Sequence, residues 1–341
     1  MDLGLSDDQE QLVATFARVC SREVTPDRVR AAEPDGFDAG LWASMVALGA
    51  PGMGVAESVG GGGATLVDLG LAAEVLGGAL VPVPFVDHVV ATRTVASLTP
   101  PDDPLLAALV AGDTVGAVAV APATGGVART VPAGGVAGAV LALDGTELVL
   151  VEQTPPGVLA PNLGATPIAH VDLATPGRRV LATGARAMDA FRTIVDEWRI
   201  LTASALVGAG AAALTLGVEY AKARHQFGVP IGTFQAIAHP LADAAAAVDG
   251  ARLLVREAAW AGDEEPAQRG TLAAMAFVFA GETAQEAAAV ALHTHGGYGF
   301  MLEYDVQLYY RRTKAWTLLG GDPRRVLVDL GDALFGPIGA R

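Results

Sequence analysis

Arg224-His225-Gln226-Phe227-Gly228, followed by Pro230-Ile231-Gly232, Phe234-Gln235-Ala236-Ile237 and Leu241-Ala242-Asp243, separates two long helical patterns, 188–223 and 234–261. Arg224 sits where the first helix ends, and its guanidinium can form charge-assisted hydrogen bonds to a pyrophosphate. Gln226 can hydrogen-bond a phosphate or ribose, Phe227 can lie on a flat heteroaromatic face, and Gly228 lets the chain turn sharply. Taken singly, Arg224 fits a solvated helix-end cation better, and Phe227 fits the core better. A second stretch, His295-Gly296-Gly297-Tyr298-Gly299-Phe300 with Glu303-Tyr304-Asp305, closes another helical run over 267–295. Gly296 and Gly297 offer backbone amides that a phosphate or ribose can approach closely, although two glycines also commonly close a helix. His293 and His295 are two residues apart, so they point to different faces of a helix and no metal site is expected.

Working outward, residues 305–318 complete four long C-terminal helices, which would pack as a four-helix bundle. Short Val-rich runs separated by Gly and Pro precede them. Residues 115–120, 138–143, 147–152 and 170–173 read as strands of a small β region. The N-terminal third reads as helices. Ser6 caps the first with Gln9 as capping-box partner, a second covers 39–48 and stops at Gly49, and Thr65 caps a third through Leu76. Gly60-Gly61-Gly62-Gly63 marks a loop, and Pro82 and Pro84 break the helical pattern. The expected organisation is α+β in three parts: an N-terminal helical domain (1–113), a reduced middle β domain (114–186) and a C-terminal helical bundle (187–341).

The 341 residues are 52% hydrophobic and only 17% charged, enough for a large core. The formal net charge of −15 disfavours nucleic acid as a partner, because an acidic chain repels phosphate backbones. Cys20 is the only cysteine, so an intrachain disulfide and a Cys-rich metal site are excluded. The acidic start lacks the basic region of a secretory signal, and residues 201–217, though apolar, read as buried helix rather than a membrane span. A cytoplasmic location is the default expectation.

The order helical, β, helical and the two C-terminal motifs resemble the acyl-CoA dehydrogenase family over nearly the whole chain. Leu5-Ser6-Asp7-Asp8-Gln9, Leu41-Trp42, Leu48-Gly49 and Gly52-Met53-Gly54-Val55-Ala56-Glu57 resemble that family's opening segments. Glu303-Tyr304-Asp305-Val306-Gln307-Leu308-Tyr309-Tyr310-Arg311-Arg312 resembles the short actinobacterial members linked to steroid side-chain breakdown, which form α2β2 heterotetramers. The resemblance implies FAD as cofactor, an acyl-CoA substrate, a second acyl-CoA dehydrogenase chain as partner and an electron-transfer flavoprotein as electron acceptor. Carried over position by position, it nominates Arg224, Gln226, Phe227, Ile231, Phe234, Ile237, His293, Gly296 and Gly297 as cofactor-binding residues that reach a neighbouring subunit's FAD. His293 stands where the family usually has Gln.

The departures are equally informative. The family's catalytic Glu occupies one of two positions, which match Gly320 and Trp198 here. Neither offers a carboxylate. Glu197 is one residue away, but one helical step rotates a side chain by about 100°, so it is only a displaced candidate base; a solvated helix charge is the plainer reading. The flavin-gripping Thr-Glu and Gly-Ser-Asp of ordinary members are absent from Ala121-Pro122-Ala123-Thr124-Gly125-Gly126. The expectation is a subunit with no catalytic residue of its own, which completes its partner's FAD site. A self-sufficient homo-oligomeric dehydrogenase with a displaced base, and a flavin-free helical acyl-CoA-binding or scaffold protein, are the alternatives.

Overall fold

The computed structural model describes residues 4–156, 159 and 161–336. Six helices come first: α1 Asp7–Glu23, α2 Pro26–Ala31, α3 Ala39–Ala47, α4 Leu66–Gly78, α5 Phe85–Leu98 and α6 Pro104–Ala111. The expected Ser6–Gln9 capping box starts α1, and Thr65 caps α4 in the same reciprocal way with Asp68. The chain then forms β1 Gly116–Val118, β2 Val127–Val131, β3 Ala139–Asp144, β4 Glu147–Glu152, β5 Ala169–Asp172 and β6 Arg178–Thr183. A four-stranded sheet has the order β1-β3-β4-β6, parallel between β1 and β3 and antiparallel elsewhere; β2 and β5 form a separate antiparallel pair.

Strand alternation divides the work of β3 and β4. Ala139, Leu141, Leu143, Leu148 and Leu150 join the core shared with the helices, whereas Val140, Ala142, Val149 and Val151 pack towards the β2–β5 pair. The small sheet is thereby fixed to the helical body by one face.

The remainder is helical: α7 Gly184–Ala223, a two-residue hairpin of β7 His225–Gln226 and β8 Val229–Pro230, then α8 Gln235–Glu264, α9 Pro266–His295, α10 Val306–Leu319 and α11 Pro323–Phe335. Forty residues at 1.5 Å per residue make α7 about 60 Å long. It is long and apolar enough to cross a membrane, but 72% of its most apolar window is buried inside the protein. Glycine and alanine let its neighbours approach backbone to backbone. A Cβ on Gly77 of α4 would lie 2.2 Å from the Ala205 carbonyl oxygen, and one on Gly208 would lie 1.9 Å from that of Glu74. On another face Gly210 meets Ala284 and Gly217 meets Ala291, so α7 and α9 run in the same direction. Helices α2, α5, α6 and α11 and strands β2, β6, β7 and β8 add to the elements expected from the sequence.

Candidate functional site

The parallel run of α7 and α9 brings the two C-terminal motifs to one end of the bundle. Tyr220, one turn before Arg224, stacks on His295 with ring centroids 4.2 Å apart. His295 is buried, its Nδ1 lying 2.7 Å from the Ala291 carbonyl oxygen, while His293 faces outward. The two histidines thus diverge as their spacing requires. Gly296 caps α9 at φ +62°, a left-handed conformation that glycine adopts without strain, and a Cβ at Gly297 would meet nothing within 4 Å.

After α7, the Arg224 carbonyl accepts a hydrogen bond from the Ile231 amide at 2.8 Å, which closes the base of the β7–β8 hairpin. Its tip is Phe227 at φ +53° and Gly228 at φ +84°. A phenylalanine in the left-handed region carries backbone strain, and strain of this kind collects at functional sites. Phe227 is 94% exposed, which removes the core reading of this residue. Its only ring neighbour among the described residues is Phe234, edge-on at 6.2 Å. The Arg224 guanidinium is exposed and makes no ion pair among the described residues. Gln226 is exposed beside it, and Ile231 packs against the core edge. Ile237 and His293, one from each motif, line a single apolar groove of about 330 Å³ between α8 and α9.

An uncompensated cation, an exposed aromatic pair, an apolar groove and two glycines with open space around them suit a dinucleotide that has a pyrophosphate and flat ring systems. Arg224 would hold the pyrophosphate, Gln226 would bond a phosphate or ribose, Phe227 and Phe234 would cover a ring face, and the amides of Gly296 and Gly297 would face a phosphate or ribose. Arg224, Gln226 and Phe227 are exposed at the surface of the chain, while Ile231 and Ile237 pack against its core.

The positions matching the family's two base sites meet elsewhere, beside a cavity between α4, α5, α7 and α10. A Cβ on Gly320 would lie 3.1 Å from Trp198 Cζ3 and 2.8 Å from Phe277 Cζ. The Trp198 indole therefore occupies the space into which a side chain at 320 would grow. Trp198 is 1% exposed, and its Nε1–H donates to Asp87 Oδ1 at 2.9 Å. Burial pushes the Asp87 carboxyl up to about 6, and the indole hydrogen bond only partly offsets this. The half-open cavity has about 110 Å³ of free volume and is lined by Leu76, Phe85, Asp87, Trp198, Thr202, Arg312 and Trp316, together with residues 164–167 from the β region. The stretch Ala121–Gly126 leads into a tight turn in which Thr124 bridges Val127, and it presents no acidic side chain.

Glu197 is neither a solvated helix charge nor a group facing this cavity. It is 8% exposed and accepts from Arg93 twice, Nε at 3.0 Å and Nη2 at 3.2 Å. It lines a different cleft, beside Gly54 and Thr94. The helical step from position 198 to 197 carries it round α7 into an ion pair. The sequence reasoning missed Asp87 and Thr202. Asp87-His88, two polar residues inside an apolar run after Pro84, was the available signal.

A helical N-terminal body, a small docked sheet and a long-helix C-terminal bundle are the arrangement of the acyl-CoA dehydrogenase fold. The chain belongs to the acyl-CoA dehydrogenase family: residues 6–98 match its N-terminal domain and residues 187–328 its C-terminal domain. It is 31% identical over 324 residues to the acyl-CoA dehydrogenase IpdE2 of Mycobacterium tuberculosis, covering 94% of this chain and 95% of that one. Among solved structures it is similar to the ChsE4-ChsE5 complex from Mycobacterium tuberculosis, at TM-score 0.88 and 25% identity, covering 98% of this chain and 99% of that one. It is also similar to the Tcur3481-Tcur3483 steroid ACAD G363A variant, at TM-score 0.85 and 25% identity, covering 96% and 98%.

Proposed function

We propose that this chain is the non-catalytic subunit of a heteromeric, FAD-dependent acyl-CoA dehydrogenase and that it completes the flavin site of its partner. FAD supplies the hydride acceptor when bound. The observation that carries the reading is the contrast between two places on one chain. The outward-facing motif keeps a free cation, exposed rings and open glycines, whereas the positions that would hold the base are a tryptophan and a glycine packed against each other. Indole nitrogen has no basic lone pair, and glycine has no side chain, so neither can take the α-proton of a thioester. The partner then supplies the carboxylate and the flavin-gripping β domain, an electron-transfer flavoprotein takes the electrons, and the assembly works in the cytoplasm. Two similar solved structures are named as a two-component complex and as a steroid acyl-CoA dehydrogenase, which supports a steroid side-chain CoA thioester as substrate. The test is co-expression with an acyl-CoA dehydrogenase chain from the same source. Turnover should vanish when the partner's catalytic Glu is replaced by Gln and should persist when Glu197→Gln is introduced here. Full turnover by this chain alone would refute the assignment.

A further inference from the structure

A row of aromatic rings joins the two motifs. Helices α7 and α9 approach backbone to backbone at Gly217, where a Cβ would lie 2.9 Å from the Ala291 Cα. One turn further along both helices, rings take over from the glycine–alanine contact. Tyr220 stacks on His295 with the planes 27° apart. His295 then meets Tyr304 edge-on, with centroids 6.1 Å apart, and Tyr304 stacks on Tyr298 at 5.6 Å. Stacked and edge-to-face contacts are the favoured geometries of aromatic pairs, and His295 makes one of each. Its ring plane is fixed by a hydrogen bond. A carbonyl oxygen can only accept, so the Nδ1–H donates to Ala291 at 2.7 Å.

Each end of the row is tied to a motif. The Tyr220 carbonyl accepts from the Arg224 amide at 2.8 Å, so this turn of α7 carries the base of the β7–β8 hairpin. On the other side His295 immediately precedes Gly296 and Gly297. The loop beyond them is folded back by the Met301 amide bonding the Tyr298 carbonyl at 3.0 Å and the Tyr304 amide bonding the Met301 carbonyl at 3.1 Å. His295 itself is 8% exposed, whereas Arg224, Phe227 and both glycines are at the surface. We propose that His295 is a positioning residue: its ring holds the Arg224 hairpin and the Gly296-Gly297 turn in one register, so that both engage the same ligand. Two contacts to one ligand reinforce each other only while the geometry allows both at once. The inference rests on the flavin reading above for its ligand, but the coupling of the two segments is a property of the chain alone.

Two variants separate the ring from its hydrogen bond. His295→Phe keeps the ring and removes the Nδ1 donor; His295→Asn keeps a short donor and removes the ring. Amide hydrogen exchange of the full chain alone comes first. In His295→Asn the Ile231 and Met301 amides should exchange at least about tenfold faster, with the β3–β4 amides unchanged, and His295→Phe should stay within about threefold of wild type. In the partner complex, Arg224→Ala should then weaken FAD binding roughly ten- to a hundredfold in the wild-type and His295→Phe backgrounds but less than about threefold in His295→Asn. Unchanged exchange in His295→Asn, equal acceleration in His295→Phe, acceleration throughout the chain, or a full Arg224→Ala effect in the His295→Asn background would each overturn the proposal. If Arg224→Ala leaves FAD affinity unchanged in the wild-type complex while the exchange result holds, the flavin reading fails and the coupling of the two segments by His295 stands.

Discussion

Asp87 and His88 are adjacent, both buried, and pulled in opposite directions by the same cause. Desolvation raises Asp87 to about 6 and lowers His88 to about 4. His88 is held neutral: its Nδ1 accepts from the Gly116 amide and its Nε2 lies 3.1 Å from the Leu109 carbonyl oxygen. A histidine whose folded value is depressed contributes stability that is present above its unfolded value near 6.5 and is lost as pH falls towards 4. At 1.36 kcal/mol per unit, that loss is about 3 kcal/mol. Asp87 has the opposite sign. Its folded value lies above the usual carboxylate range, so its contribution is complete below about 4 and disappears as pH rises through about 6. That change is also about 3 kcal/mol. Between pH 6.5 and 4 the two largely cancel. Asp87→Asn keeps an oxygen for the Trp198 indole but removes the titration, so it should leave the histidine loss uncompensated. The assay is urea unfolding of both chains at intervals from pH 7.5 to 4. Every other titrating group is common to the two, so the difference curve isolates Asp87. Wild type should gain about 3 kcal/mol relative to Asp87→Asn over that range. A flat difference curve would show that Asp87 is not desolvated and would refute the description of the cavity.

Three further outcomes follow from the same geometry. In the partner complex Arg224→Ala should lower FAD affinity roughly ten- to a hundredfold by flavin titration, since charge-assisted hydrogen bonds are worth about 1.5–3 kcal/mol, with the melting temperature of this chain alone unchanged because the guanidinium makes no ion pair among the described residues. Phe227→Gly should raise the unfolding free energy by about 1 kcal/mol through relief of left-handed strain while weakening flavin retention, which flavin absorbance after gel filtration would report. Arg93→Leu should destabilise the chain by about 3–5 kcal/mol in urea melts, because it leaves Glu197 buried and unpaired, whereas Glu197→Gln should change turnover of the complex by less than about tenfold, or about 1.4 kcal/mol.

Much of the fold is legible along the chain where local chemistry decides it. The Ser6–Gln9 and Thr65 caps and the long helices ending at Ala223 and His295 carry their own signals. Helix α5 does not, because Asp87, His88, Thr92 and Thr94 are polar yet buried, which erases the apolar stripe. Strands β2 and β6 carry Arg129, Arg178 and Arg179, so they lack the apolar signature of β3 and β4. Helix α11 begins at Pro323 and buries only Val326, with Leu330 partly buried beside it. Motif residues were readable because they are contiguous in sequence. Their convergence at one bundle end was not, because it depends on α7 and α9 running parallel through Gly210–Ala284 and Gly217–Ala291 contacts. Asp87, Trp198 and Gly320 come from three distant segments, and only packing shows that Trp198 and Phe277 together fill the space beside position 320.

The most direct test of the central claim is a count. This chain is co-purified with its acyl-CoA dehydrogenase partner, the assembly mass is taken by native mass spectrometry, and released flavin is quantified by absorbance. The account predicts a complex holding both chains with one FAD for every two chains, and this chain purified alone with little or none. One tightly bound FAD per chain in a homo-oligomer of this protein would contradict it.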